Sequence, residues 1–294
     1  MHIPVLQKEV IEYLNPKPNE NFIDCTIGEG GHSLAILEKN GPTGKVLGID
    51  RDPGVIKNIE SRIPNLEFRK RLVLVCDNFA NLEEIVKKQN FKQVSGILFD
   101  LGMSSWHLEK SGRGFSFLRN EPLDMRYNLE NPLTAEKIVN YWSKPEIEKI
   151  LREYGEERFA KKIAERIIES RAKPIETTFQ LIEIIKSVIP RKYQVGRLHP
   201  ATRTFQALRI AVNDELNNLE KVLPQAINVL NRGGRLVAIS FHSLEDRIVK
   251  NFLKKCGGDA CVKLITKKPI RPSREEIIKN HRSRSAKLRA CQKF

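Results

Sequence analysis

The stretch FIDCTIGEGGHS, Phe22 to Ser33, sets a glycine-rich turn directly after a short apolar run. An apolar run, a glycine turn and then a helix-compatible segment form the phosphate- or nucleoside-facing corner of a βα unit. Three ligands compete for such a loop. A triphosphate loop needs GxxxxGK[ST], with a lysine and a hydroxyl for the phosphates and magnesium. No lysine follows Gly31, which excludes it. A dinucleotide loop reads GxGxxG; Gly28 and Gly30 supply two glycines, but Ser33 stands at the third and Glu29 lies in the turn. A carboxylate is a poor neighbour for a pyrophosphate. S-adenosylmethionine carries a cationic sulfonium and no phosphate. Asp24 at the strand end suits its positive groups, and Gly28, Gly30 and Gly31 let the backbone approach its methionine part closely.

The surrounding sequence repeats the same unit. Apolar runs at Phe22–Asp24, Lys45–Asp50, Leu72–Val75 and Gly96–Asp100 alternate with helix-compatible segments at Ser33–Lys39, Gly54–Ile63 and Asn81–Lys88. That spacing predicts parallel βαβ units. Right-handed crossovers then bring every strand's carboxyl end to one edge, where open α/β sheets bind ligands. Asp50 ends the second strand, 22 residues after Gly28, where a carboxylate binds both ribose hydroxyls. Asp77, Asn78 and Phe79 follow the third strand and offer polar and apolar contacts to adenine.

The next strand, Arg235–Ser240, follows the turn Asn231–Gly234 and arrives about 130 residues late. The gap has helical patterns at Thr134–Trp142, Pro145–Tyr154, Glu157–Ser170 and Thr177–Val188, with prolines at 174, 190 and 200. A long amphipathic stretch, Ala201–Leu230, reads as the crossover helix. The predicted fold is therefore α/β: a Rossmann-like, methyltransferase-type sheet with an inserted all-helical domain. The sheet domain takes 1–105 and 201–294 with a basic C-terminal segment. The insert takes 106–200, either as a substrate-gripping cap or as packing alone.

Composition narrows the partners. The 294 residues carry 51 Lys and Arg against 36 Asp and Glu, a formal net charge of +15. Lys250 to Lys293 holds fourteen of the cations against Asp259, Glu275 and Glu276. Such imbalance favours a polyanion, most simply nucleic acid. No apolar run approaches the roughly 18 residues of a membrane span. MHIPVLQKEVIEYL at the N-terminus, charged at Lys8, Glu9 and Glu12, lacks the apolar core of a signal peptide, so the expected compartment is the cytoplasm. Five scattered cysteines form no CxxC pair and have no histidines at zinc spacing, so no metal site is predicted. Cys25 and Cys76, at predicted strand ends, read as small core fillers.

The fourth strand ends in FDLGMSSWH, Phe99 to His107. In a methyltransferase Asp100, Ser104 and Ser105 would hold an amine or hydroxyl nucleophile in line with the sulfonium. Methylation of cytosine at carbon five demands a cysteine nucleophile, usually after proline, and no cysteine here follows one. An exocyclic amine needs only orientation, an acceptor for its N–H and exclusion of water. Trp106, Phe115, Phe117 and Tyr127 would stack a splayed base or close the core of the insert. Arg203 and Arg209 would grip phosphate or pair with acids. Ser243 with Asp246 reads as a helix N-cap; His242 beside it serves as a general base or as scaffold.

Taken together, HIPVL at His2–Leu6, GEGGHS at Gly28–Ser33, DRDP at Asp50–Pro53, NF at Asn78–Phe79, DLGMSS at Asp100–Ser105, GRGFSF at Gly112–Phe117, PLDMR at Pro122–Arg126, HPATRTFQALRIAVNDEL at His199–Leu216, GGRLVAISFHSLEDR at Gly233–Arg247 and RSRSAKLR at Arg282–Arg289 make the match specific. On these stretches the sequence resembles the RsmH (MraW) family of bacterial small-subunit ribosomal RNA methyltransferases. The resemblance implies S-adenosyl-L-methionine as methyl donor and the N4 amine of one cytosine (1402 in 16S numbering) as acceptor. It implies the 30S subunit or its 16S rRNA as partner. It also implies cofactor contacts at Gly30, Gly31, His32, Asp50, Phe79, Asp100 and His107. His107 stands where the family often has glutamine. Asp100-Leu-Gly lacks the paired prolines that many amino-methyltransferases carry at the fourth strand. Arg282 and Arg284 in the basic run are candidates for RNA phosphate. A different class of function, an RNA-binding assembly factor without catalysis, fits the same charge and fold.

Overall fold

The computed structural model describes residues 4–63, 65–194 and 199–294. Of the motif His2–Leu6, His2 and Ile3 lie outside the described residues. Two compact units are present, Met1–Ser104 with Leu216–Phe294, and Ser105–Glu215.

The first unit is built on one mixed sheet. Strands β1 (Asn21–Asp24), β2 (Val46–Asp50), β3 (Leu72–Cys76), β4 (Val94–Asp100), β5 (Leu230–Ser240), β6 (Val262–Leu264) and β7 (Lys287–Lys293) lie in the order β3-β2-β1-β4-β5-β7-β6. The first five pair in parallel, and β7 runs antiparallel between β5 and β6. Alternation along the strands sends side chains to two cores. Ile23, Ile97, Phe99, Leu236 and Ala238 face one, packed against helices Leu82–Lys88, Glu215–Val229 and Ser243–Gly258. Phe22, Leu98, Val237 and Ile239 face the other, under helices Gln7–Leu14 and Gly31–Lys39. Buried on both faces, these strands are nearly continuous apolar runs, which is why short segments such as VLGID were readable. Among the described residues no helix is long and apolar enough to cross a membrane.

Several predicted features change. Asn231–Gly234 is not a turn before a strand but an irregularity inside β5: Val94 pairs with Leu230 and Gly96 with Arg235. Cys25 is a core residue, whereas Cys76, closing the edge strand β3, is exposed. The basic C-terminal segment includes a sheet strand, β7, with Leu288, Ala290 and Cys291 fully buried. The stretch Ala201–Leu230 is two helices, Thr202–Asn213 and Glu215–Val229, because Asp214 turns into the left-handed region at φ 52°. The compact helical unit spans Ser105–Glu215.

In that second unit, helices Ala135–Tyr141, Lys144–Glu153, Ala160–Glu169 and Thr178–Val188 bury Ile138, Ile147, Leu151, Ile163, Ile167 and Leu181. Their starts are written in the sequence. Thr134 accepts from Lys137 N–H, while Ser143 with Glu146 and Thr177 with Gln180 form reciprocal capping boxes.

Candidate functional site

All four predicted acids lie at the carboxyl ends of β1 to β4, and each is tied to a neighbouring turn. Asp24 is 1% exposed. Its Oδ2 accepts from Ser33 Oγ at 2.7 Å and its Oδ1 from Thr26 N–H at 3.2 Å. Burial pushes its pKa up to about 6, against the lowering effects of His32, Ser33 and Thr26. Asp24 thus anchors the loop between β1 and helix Gly31–Lys39 from within, rather than presenting a carboxylate to solvent. Ser33, the residue that broke the dinucleotide pattern, supplies the other half of that anchor.

The loop itself uses glycine where the backbone turns left-handed, at Gly28 (φ 51°) and Gly30 (φ 82°). Gly28 N–H donates to Asp50 Oδ2 at 3.2 Å, and Asp52 N–H donates to Asp50 Oδ1 at 3.0 Å. The end of β2 therefore grips the glycine loop directly. Asp52, 3% exposed, caps helix Pro53–Arg62 by accepting from Gly54 N–H at 2.8 Å. At the end of β3, Asp77 Oδ1 accepts from Asn78 N–H at 2.6 Å and Asn81 Nδ2 at 2.9 Å. Asn78 accepts from Ala80 N–H at 3.0 Å. This shapes the short turn that holds Phe79 edge-on against Phe99, with centroids 6.0 Å apart.

At the end of β4, Asp100 N–H donates to Thr26 Oγ1 at 2.6 Å, which locks β4 to the β1 loop. Asp100 Oδ2 lies 3.5 Å from His32 Nε2, too poorly aligned for a hydrogen bond. Burial would lower the His32 pKa, but the Asp100 carboxylate, with Asp24 and Glu276 adding to it, turns the net shift upward. His32 Nδ1 and Asp100 Oδ1 are buried atoms with no hydrogen-bond partner among the described residues. Buried polar atoms are normally satisfied, and these two stand out beside the glycine loop. Ser104 packs on the same loop, its Cβ 3.6 Å from where a Cβ on Gly28 would lie.

Most of the remaining candidates belong to the helical unit. Ser105 opens the short helix Ser105–Glu109, which also carries Trp106 and His107. His107 is 4% exposed and packs against Tyr127 and Phe115, with centroids 4.7 and 5.2 Å away. Phe115, itself 4% exposed, is a core residue of this unit. Phe117 stacks on His199 at 4.6 Å and meets Phe205 edge-on. Arg203 is exposed and donates to the Glu156 carbonyl. Arg209 is buried, its guanidinium donating to both carboxylate oxygens of Glu215 at 2.9 Å; of its two readings, the acid pair is the one observed.

Back in the first unit, Arg282 and Arg284 are exposed on the 3-10 helix His281–Ser285. The N-cap of helix Ser243–Gly258 is His242, not Ser243. Its side chain accepts from Glu245 N–H while Glu245 reaches back, and Asp246 instead pairs with Lys287 and Arg289. His242 is scaffold. Sequence reasoning missed Thr26, Ser33 and Asp52, whose signal was a short hydroxyl or acid immediately flanking the loop.

A mixed sheet whose first five strands run parallel, with a glycine loop after β1 and acids at successive strand ends, defines the class: a Rossmann-like α/β fold. The chain belongs to the MraW methylase family, whose model matches residues 1–294. Relatives named ribosomal RNA small subunit methyltransferase H include one from Clostridium botulinum (strain Kyoto / Type A2), 47% identical over all of this chain and 99% of the relative. One from Clostridioides difficile (strain 630) is 44% identical over 100% and 99%. One from Heliobacterium modesticaldum is 46% identical over 100% and 98%. Among solved structures, a proposed rRNA methylase from Clostridium thermocellum matches over 100% of this chain and 98% of its own, with TM-score 0.50 and 12% identity. That likeness concerns the fold.

Proposed function

We propose that this chain is an S-adenosylmethionine-dependent methyltransferase of small-subunit ribosomal RNA, acting on the N4 amine of one cytosine, 1402 in 16S numbering. The observation that carries the reading is the glycine loop fastened by Asp24 and Asp50 beside the His32–Asp100 pair, whose His32 Nδ1 and Asp100 Oδ1 have no hydrogen-bond partner among the described residues. The names of the relatives support ribosomal RNA as substrate. S-adenosylmethionine supplies an electrophilic methyl on a sulfonium.

In this reading Gly28, Gly30 and Gly31 bind its amino-acid end through close backbone. Asp50 accepts from the ribose hydroxyls, since a carboxylate oxygen accepts more than one hydrogen bond. Phe79 covers the adenine. Asp100 faces the reacting centre, and its Oδ1 accepts an N–H of the cytosine amine, orienting the nitrogen lone pair; Ser104 borders it. Cys25 stays a thiol, because burial raises its pKa well above the ordinary value. It is therefore no nucleophile for a carbon-five mechanism. We assign RNA recognition to the helical unit and place the protein in the cytoplasm with its ribosomal substrate.

Calorimetry tests the donor site. The chain is expected to bind S-adenosylmethionine, and Asp50→Ala to weaken it by about 1.5–3 kcal/mol, the worth of charge-assisted hydrogen bonds. Absence of binding, with Asp50→Ala changing nothing, would point instead to a non-catalytic RNA-binding factor. Binding of NAD would point to a dehydrogenase.

A further inference from the structure

The basic C-terminal segment is sorted by the fold. Lys287 and Arg289 turn inward to Asp246, at 3.1 and 2.7 Å. Lys267, Lys268, Arg271, Arg274, Arg282 and Arg284 are all exposed. The register shows where they gather. Ser240, the carboxyl end of β5, pairs with Lys287, the first residue of β7. The 3-10 helix His281–Ser285 immediately before it therefore stands at the carboxyl edge of the sheet.

After β6 the chain keeps to β7, with Ile265 N–H donating to the Ala290 carbonyl and Ile270 N–H to that of Leu288. This climb carries Lys267, Lys268 and Arg271 to the same edge. Helix Arg274–Lys279 follows, and its Glu276 Oε1 accepts from Leu6 N–H at 2.7 Å. The next residue, Gln7, donates through Nε2 to the Gly31 carbonyl at 3.1 Å. The cationic segment is thus coupled through Leu6 and Gln7 to the glycine loop itself. Two strand spacings, roughly 10 Å, separate β7 from β4 and Asp100. Lys267, Lys268, Arg271, Arg274 and Arg284 form no ion pair among the described residues.

We propose that these five cations, with the exposed Arg282 beside them, form a phosphate-binding shelf that holds the RNA backbone flanking the target nucleotide, on the same edge as the glycine loop. The inference rests on the reading that RNA is the substrate. A reactive exocyclic amine must be unpaired, so flanking single-stranded backbone needs its own grip. Charge complementarity supplies it.

The test uses the full chain carrying Lys267→Gln, Lys268→Gln and Arg271→Gln, and naked small-subunit ribosomal RNA across a salt series. A control triple, Lys17→Gln, Lys39→Gln and Lys45→Gln, removes the same charge from exposed positions at the other end of the strands. Each lost single-strand phosphate contact lowers the salt slope by about 0.7, so the shelf triple is expected to flatten it by about 2 and weaken Kd about tenfold at moderate salt. The control triple should do neither, and the melting temperature and S-adenosylmethionine affinity of the shelf triple should match wild type. An unchanged slope in the shelf triple, or an equal change in both triples, would overturn the shelf and leave the substrate reading standing. A wild-type chain that binds neither the naked RNA nor small ribosomal subunits would overturn both.

Discussion

At the scale of single residues, the acids at the strand ends divide into those that build turns and Asp100, to which we assign the ligand. Asp24 and Asp50 were visible in the sequence because an acid closing an apolar run is unusual. Their division was not visible, because it depends on which oxygen each backbone N–H reaches. Ser33 illustrates the point: as a missing glycine it argued against a dinucleotide, and only the fold shows its hydroxyl 2.7 Å from Asp24. The anchor has a consequence for stability. Burial raises the Asp24 pKa from 3.8 to about 6, so the folded state prefers the neutral acid. Its contribution is full below about pH 4 and is lost as pH rises through 6, to the extent of about 3 kcal/mol. Asp24→Asn removes that titration. Urea unfolding should therefore show the variant gaining on wild type between pH 4 and 6.5; a constant difference across this range would contradict the buried-acid assignment.

Among the elements, β1 to β4 and the helices of the insert were readable because each has an unambiguous period and a boundary signal, such as the Thr134 cap. Two elements were not. β7 was masked by its composition, since KLRACQK alternates cations with apolar residues, and a charge run reads as a solvated tail until Asp246 is placed beneath it. The break at Asp214 was hidden in an unbroken amphipathic pattern. What favours it is the bidentate pair of Arg209 with Glu215, both largely buried, closing the turn. Arg209→Ala would strand the Glu215 carboxylate in that setting, at a cost of about 3–5 kcal/mol. The salt slope of RNA binding should be unchanged, because this guanidinium does not face solvent. A flattened slope without loss of stability in denaturant titration would return Arg209 to the phosphate-contacting set.

For the whole molecule, the late fifth strand is what led the sequence reading to a helical insert within a sheet unit. The position of the division, at Glu215, required the fold. The net charge of +15 predicted a polyanionic partner without a location; the proposed shelf takes its location from the β5–β7 register, which sets the 3-10 helix His281–Ser285 at the carboxyl edge. The glycine loop, the His32–Asp100 pair and the proposed cationic shelf then lie on one edge of one sheet. Such a layout suits transfer of a methyl to a nucleotide held by its backbone. The decisive measurement is incubation of the chain with methyl-labelled S-adenosylmethionine and small ribosomal subunits lacking the modification, followed by nucleoside analysis. N4-methylated cytidine at a single position is the predicted product; label on carbon five, or no transfer by a chain that binds both the donor and the RNA, would contradict it.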